Sequence, residues 1–69
     1  MKHLKICDFT VPELDNFRRL CNFTPDELEY FNLRARDYAN YQIAMEMNLS
    51  PSKIDTLSRK VKSKMIRVL

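Results

Sequence analysis

Residues 39–65 read ANYQIAMEMNLSPSKIDTLSRKVKSKM, and this stretch decides the fold. It divides into two helices with a three-residue connection, Asn48 to Ser50. Asn40 suits the cap of the first helix, Tyr41–Met47, in which Ile43, Ala44 and Met47 recur at the spacing of a buried stripe. Asn48 tolerates the left-handed backbone conformation in which helices commonly end, a position usually given to glycine. Ser50 caps the second helix, and Pro51 takes its first position, where a missing N–H costs nothing.

The second helix, expected over about 51–67, has two unlike faces. Ile54, Leu57, Ser58, Val61, Met65 and Val68 follow the i, i+3, i+4, i+7 rhythm of a core-facing stripe. Ser52, Asp55, Thr56, Arg59, Lys62 and Ser63 fall on the other side. Two helices with so short a turn have the form of a helix-turn-helix, whose second helix enters the major groove in DNA-binding proteins. The exposed residue types suit such a helix, since arginine takes guanine edges, aspartate accepts from cytosine, and threonine bonds to bases or phosphate. Charge alone favours a plainer alternative, the solvated face of an ordinary small bundle. The turn spacing, the caps and the small residues Ala39 and Ala44 tip the balance to DNA.

From Phe23-Thr24-Pro25-Asp26-Glu27-Leu28-Glu29 through Met65 the chain resembles the DNA-binding domain of LuxR-type regulators and, more loosely, region four of bacterial sigma factors. Thr24, Glu27 and Glu29 match the family's opening helix and Ala35 its close. Asn40, Ile43 and Ala44 match its N-x-x-I-A first motif helix, and Ser50, Ile54, Val61, Lys64 and Met65 fit its recognition helix. The resemblance implies that Asp55, Thr56 and Arg59 approach base edges, and that the setting is bacterial or phage. Three positions depart from the pattern: Asp37 stands for a common glycine, Asp55 for a frequent basic residue, and Leu57 for a common histidine. The expected base contacts are Ser52, Asp55, Thr56 and Arg59. The expected backbone contacts are Asn40, Tyr41 and Gln42 from the first motif helix, with Lys53, Lys60, Lys62 and Lys64 from the second.

Composition fits this reading. Sixty-nine residues allow one small domain, and 45% hydrophobic content without a single glycine suits helices with short connections. No apolar run approaches the length of a membrane span, and the opening MKHLKICDF is too short an apolar stretch for a secretory signal, so a cytoplasmic setting is expected. Residues 1–49 carry six basic and eight acidic side chains, for −2, and residues 50–69 carry six basic against Asp55 alone, for +5. A basic helix on a mildly acidic body is an electrostatic footprint for phosphate. A membrane surface would attract it too, but the apolar stripe is needed for the core, whereas an interfacial helix must keep its stripe free.

The expected architecture is all-α: an N-terminal arm over 1–9, then a single helix-turn-helix domain over 10–69 with the motif at 40–65. The arm reads as extended and packs on the body or on another subunit. Thr10-Val11-Pro12-Glu13 has the capping-box form, so an extra N-terminal helix starts there, with Val11, Leu14, Phe17 and Leu20 or Cys21 as its stripe. Asp15, Arg18 and Arg19 then face water. This helix is expected to cover the surface that a fourth helix covers in LuxR-type domains; alternatively its stripe docks another protein. Thr24 caps the next helix with Pro25 at its first position, Glu27 closes the box, and Phe23 and Leu28 form a hydrophobic staple. Tyr30, Phe31 and Ala35 bury, with Leu28 and Leu33 at the margins. Arg34 and Arg36 either reach phosphate or simply complement the helix dipole. Asp37–Ala39 is a loop, and Tyr38 packs.

No active site assembles from these residues. Cys7, Cys21 and His3 are too few for a four-ligand zinc site, no glycine-rich loop exists to cradle phosphate, and no histidine accompanies a serine or cysteine in a nucleophilic motif. Cys21 reads as a buried thiol and Cys7 as partly exposed. No catalysis, metal or cofactor is expected. The function expected is that of a small transcriptional regulator that binds specific double-stranded DNA. The alternative is a protein-interaction module that uses the same fold to bind RNA polymerase or another regulator. A homodimer is compatible with either; a membrane partner is not expected.

Overall fold

The computed structural model describes residues 5–69; residues 1–4 of the expected arm lie outside the described residues. A short 3₁₀ turn, Ile6–Asp8, leads into α1 (Val11–Leu20), α2 (Pro25–Ala35), α3 (Asn40–Met47) and α4 (Pro51–Val68). No strand occurs among the described residues. The chain is an all-α bundle in which α3 and α4 are joined by three residues.

Side chains fix where the helices begin. Thr10 accepts from the Glu13 N–H at 3.4 Å while Glu13 accepts the Thr10 N–H at 2.8 Å, a complete capping box. Thr24 and Glu27 repeat it at 3.3 and 3.0 Å. Ser50 accepts from the Lys53 N–H at 3.3 Å, with Pro51 first in α4. Asn40, expected as the cap of α3, is instead its first helical residue, and Ala39 holds the cap position. Alanine has no side-chain acceptor, so only half of a box forms: Gln42 reaches back to the Ala39 N–H at 2.8 Å. Asn40 turns its Oδ1 to the Tyr30 hydroxyl, which donates at 2.9 Å.

Where the helices end, this glycine-free chain needs residues that accept positive φ. Asn22, Asp37 and Asn48 supply them, with φ of 53, 66 and 55°. After α2 the Tyr38 N–H bonds to the Leu33 carbonyl at 3.2 Å and the Asp37 N–H to Arg34 at 2.9 Å. After α3 the Leu49 N–H bonds to Ala44 at 2.9 Å and the Asn48 N–H to Met45 at 3.3 Å. Each pair satisfies carbonyls that the helix leaves open. Asp37 therefore does the backbone work that glycine usually does at a helix exit.

The core is centred on α2, whose Tyr30 and Phe31 are fully buried. Ile43 of α3 and Ile54, Leu57, Ser58, Val61 and Met65 of α4 close over them, while Leu33, Ala35, Tyr38, Ala44 and Met47 pack at the margin. Phe23 stacks on Phe31 with ring centroids 5.0 Å apart, Phe17 of α1 meets Phe31 edge-on at 6.3 Å, and Phe9 meets Phe17 edge-on at 5.0 Å. The segment before α1 is thus no extended arm where it is described: Ile6 is buried against α2 and Phe9 extends the aromatic row.

Two apolar residues, Val11 and Val68, leave their expected stripes, and of Leu20 or Cys21 the cysteine takes the inward place. Val11 is 69% exposed, and Leu20 is exposed where Cys21 is buried. At about 100° per residue both lie roughly a quarter turn from the line through Leu14, Phe17 and Cys21. Val68, at the last turn of α4, is also exposed.

Because Phe17 is only 5% exposed and links Phe9 to Phe31, α1 completes the core within one chain. Phe17→Ala is expected to cost about 3–5 kcal/mol. Thermal melts over a concentration series check this: the loss is the same at every concentration, and an unshifted melting temperature contradicts it.

Candidate nucleic-acid interface

With its stripe spent on the core, α4 turns Ser52, Asp55, Thr56, Arg59 and Ser63 to solvent, as the sequence pattern anticipates. These side chains are partly paired along the helix. The Thr56 hydroxyl donates to the Ser52 carbonyl at 3.1 Å, and Arg59 Nη2 lies 3.5 Å from Asp55 Oδ2. Lys53 and Lys60, both exposed, flank a shallow crevice between α4 and the start of α2, lined also by Thr24, Asp26, Glu27 and Leu49. Lys62 is half-buried on the opposite edge of α4. On α3, Tyr41 and Gln42 are exposed, Gln42 being tied to the Ala39 N–H, and Asn40 already engages Tyr30.

Lys64 has a different role from the phosphate contact expected of it. Its Nζ lies 2.5 Å from Glu27 Oε1 and donates to the Asn22 carbonyl at 3.3 Å. Glu27 is 3% exposed, and the same Oε1 accepts the Thr24 N–H. Burial pushes the Glu27 carboxyl up, but hydrogen bonds from Lys64 and the Thr24 backbone, with the charges of Lys64 and Lys60, outweigh it and hold the group below its usual range. The sequence carries a signal for this pair. Glu27, Tyr30 and Phe31 share one face at i, i+3, i+4, so a carboxylate stands on a buried stripe and requires a partner. Lys64 lies one turn beyond Val61, at the margin of the α4 stripe.

Other charged groups that sequence spacing leaves free are also engaged. Arg18, expected to face water, donates to Asn32 at 2.8 Å and Asp15 at 2.7 Å and lies over the Phe31 ring at 5.4 Å. Arg19 donates to Asn16 at 2.6 Å. Arg34 donates to the Tyr38 carbonyl at 2.6 Å and so closes the α2–α3 turn, while Arg36 is exposed. The half-buried Cys7 thiol donates to Asp37 Oδ1 at 3.4 Å. Burial first, and then Asp37, raise its pKa; burial does the same for Cys21, so neither is an activated nucleophile.

Among the described residues no group of three or more histidine, cysteine or acidic side chains could hold a metal, and no helix is long and apolar enough to cross a membrane. Comparison with family models, with curated proteins and with solved structures finds no match to this chain.

The Glu27–Lys64 pair generates a stability prediction. Glu27→Gln keeps a side chain able to close the capping box but removes the charge, and is expected to cost roughly 1.5–3 kcal/mol near neutral pH. Lys64→Met strands a buried carboxylate and is expected to cost about 3 kcal/mol. A folded-state carboxyl held below its usual range stabilises the protein above the unfolded value, near 4.5, and that contribution is lost as pH falls through the folded value. Melting temperatures between neutral pH and about pH 3 test the sign. The wild type loses more on acidification than Glu27→Gln, and parallel curves contradict the assignment.

Proposed function

We propose that this chain is a small helix-turn-helix transcriptional regulator that binds specific double-stranded DNA, with α4 in the major groove. The observation that carries the reading is the division of α4. Its apolar stripe is consumed by the core, so Ser52, Asp55, Thr56 and Arg59 stand exposed, with Lys53 and Lys60 on one edge and Lys62 on the other. From Ser52 to Ser63 this face runs about 16 Å, and a helix with side chains, about 10–12 Å across, fits a groove about 12 Å wide. The resemblance of residues 23–65 to LuxR-type domains and sigma-factor region four points the same way.

In this reading Arg59 takes a guanine edge, Ser52, Asp55 and Thr56 read neighbouring bases, and the lysines hold phosphates as point charges. Tyr41 and Gln42, exposed at the start of α3, meet the backbone where the first motif helix crosses it. Lys64 is left out, because its ammonium is committed to Glu27. Such a regulator acts in the cytoplasm. A second reading, a module that docks RNA polymerase or another regulator, is favoured by one separate observation: Tyr41 and Met45, one turn apart on α3, are 71% and 77% exposed.

The salt dependence of duplex affinity tests the first reading. Log affinity should fall linearly with log salt, by about 0.9 per phosphate neutralised. Lys60→Ala and Lys62→Ala should each reduce the slope by about one, whereas Lys64→Ala lowers the melting temperature and leaves the slope alone. Arg59→Ala should weaken the preferred sequence by about 1–3 kcal/mol and random duplex much less. Salt-independent binding, or none, overturns the proposal.

A further inference from the structure

Resting on that DNA-binding reading, we propose that Asp55 is a specificity-determining residue, which aims Arg59 at its base and disfavours binding to arbitrary phosphate. Asp55 is the only acidic residue of α4, among Lys53, Arg59, Lys60, Lys62, Lys64 and Arg67. It stands on the outward face one turn before Arg59, with Oδ2 3.5 Å from Nη2, too long for a strong hydrogen bond. The two side chains, Arg59 and Asp55, are 82% and 67% exposed, and an ion pair so solvated contributes little to folding. Stability does not account for an acid at this place.

Chemistry in the groove does. The approach of Nη2 to Asp55 engages only part of the guanidinium fork, so other N–H donors of Arg59 remain for the two acceptors of guanine. The second Asp55 oxygen is left to accept from a base amino group; the major groove offers cytosine N4 and adenine N6, and cytosine N4 is the usual partner of a carboxylate. On the same face the Thr56 hydroxyl is turned back to Ser52, so Asp55 and Arg59 are its charged pair. Against random duplex the carboxylate gains no base donor and repels phosphate, which weakens non-specific binding more than specific binding. Specificity is that difference.

The experiment begins with the salt-dependent affinity of the wild-type chain for a selected duplex and for random duplex. Wild type that binds neither in a salt-dependent way removes the DNA reading itself. Where wild type binds, Asp55→Asn is measured alone and in the Arg59→Ala background, with melting curves alongside. The expected result is an unshifted melting temperature, random-duplex affinity up about tenfold, and a specific-to-random ratio down about tenfold, a change of the size one nearby charge produces. In the Arg59→Ala background the ratio should respond clearly less to Asp55→Asn, because the aiming of Arg59 is gone and only the repulsion of phosphate remains. An unchanged ratio in the single variant, or an equal fall in both backgrounds, overturns the proposal while the DNA reading stands.

Discussion

One carboxylate oxygen, Glu27 Oε1, holds three parts of this molecule in register. It accepts the Thr24 N–H and so fixes the start of α2, and it takes the ammonium of Lys64, which sets the rotation of α4 about its axis. Lys64 also bonds to the Asn22 carbonyl, so the α1–α2 connection is drawn into the same point. The arrangement has little freedom. Rotating α4 by half a turn would leave Glu27 charged and unpaired in an apolar setting and expose Ile54, Val61 and Met65 to water. The pair thus acts with the apolar stripe of α4 to fix which face of that helix is exposed, even though a well-packed apolar pair could match it in stability alone.

A second constraint is the absence of glycine. Helix exits that glycine would normally make are made by Asn22, Asp37 and Asn48, whose short polar side chains tolerate positive φ. The turn at Asp37 is clamped further. Arg34 holds the Tyr38 carbonyl, Cys7 donates to the Asp37 carboxylate, and Tyr30 reaches Asn40 at the head of α3. These contacts run from the aromatic core of α2 to the head of α3, so α3 and α4 are both referred to α2.

Local grammar is legible in the sequence. Thr10, Thr24 and Ser50 announce their helices, Asn48 announces the end of α3, and the period of Ile54, Leu57, Val61 and Met65 assigns the two faces of α4. What escapes is whatever depends on another element. Asn40 has the chemistry of a cap, but the Tyr30 hydroxyl, ten residues away, claims its oxygen. Val11 and Val68 have the type of core residues but stay exposed, and Leu20 yields the inward place to Cys21. Arg18 and Lys64 look solvated or phosphate-facing because sequence spacing reports a helix's own face and not the ring or carboxylate opposite. The candidate site divides the same way. Exposure of Ser52, Asp55, Thr56 and Arg59 follows from period, and their i, i+4 spacing already allows the contacts among them, whereas the choice of Lys64 as the partner of Glu27 takes three dimensions to see.

Everything proposed for this chain depends on the outward face of α4, held in place by Glu27 and Lys64, being the surface that meets duplex DNA. Amide chemical shifts followed by NMR during titration with a duplex recovered by binding-site selection test this without intermediary. Perturbations should concentrate between Ser52 and Ser63 and at the start of α3 around Tyr41, while the amides of α1 and those around Glu27 stay where they are. Perturbations centred instead on α1 and the exposed end of α4, around Leu20, Val68 and Leu69, would contradict it.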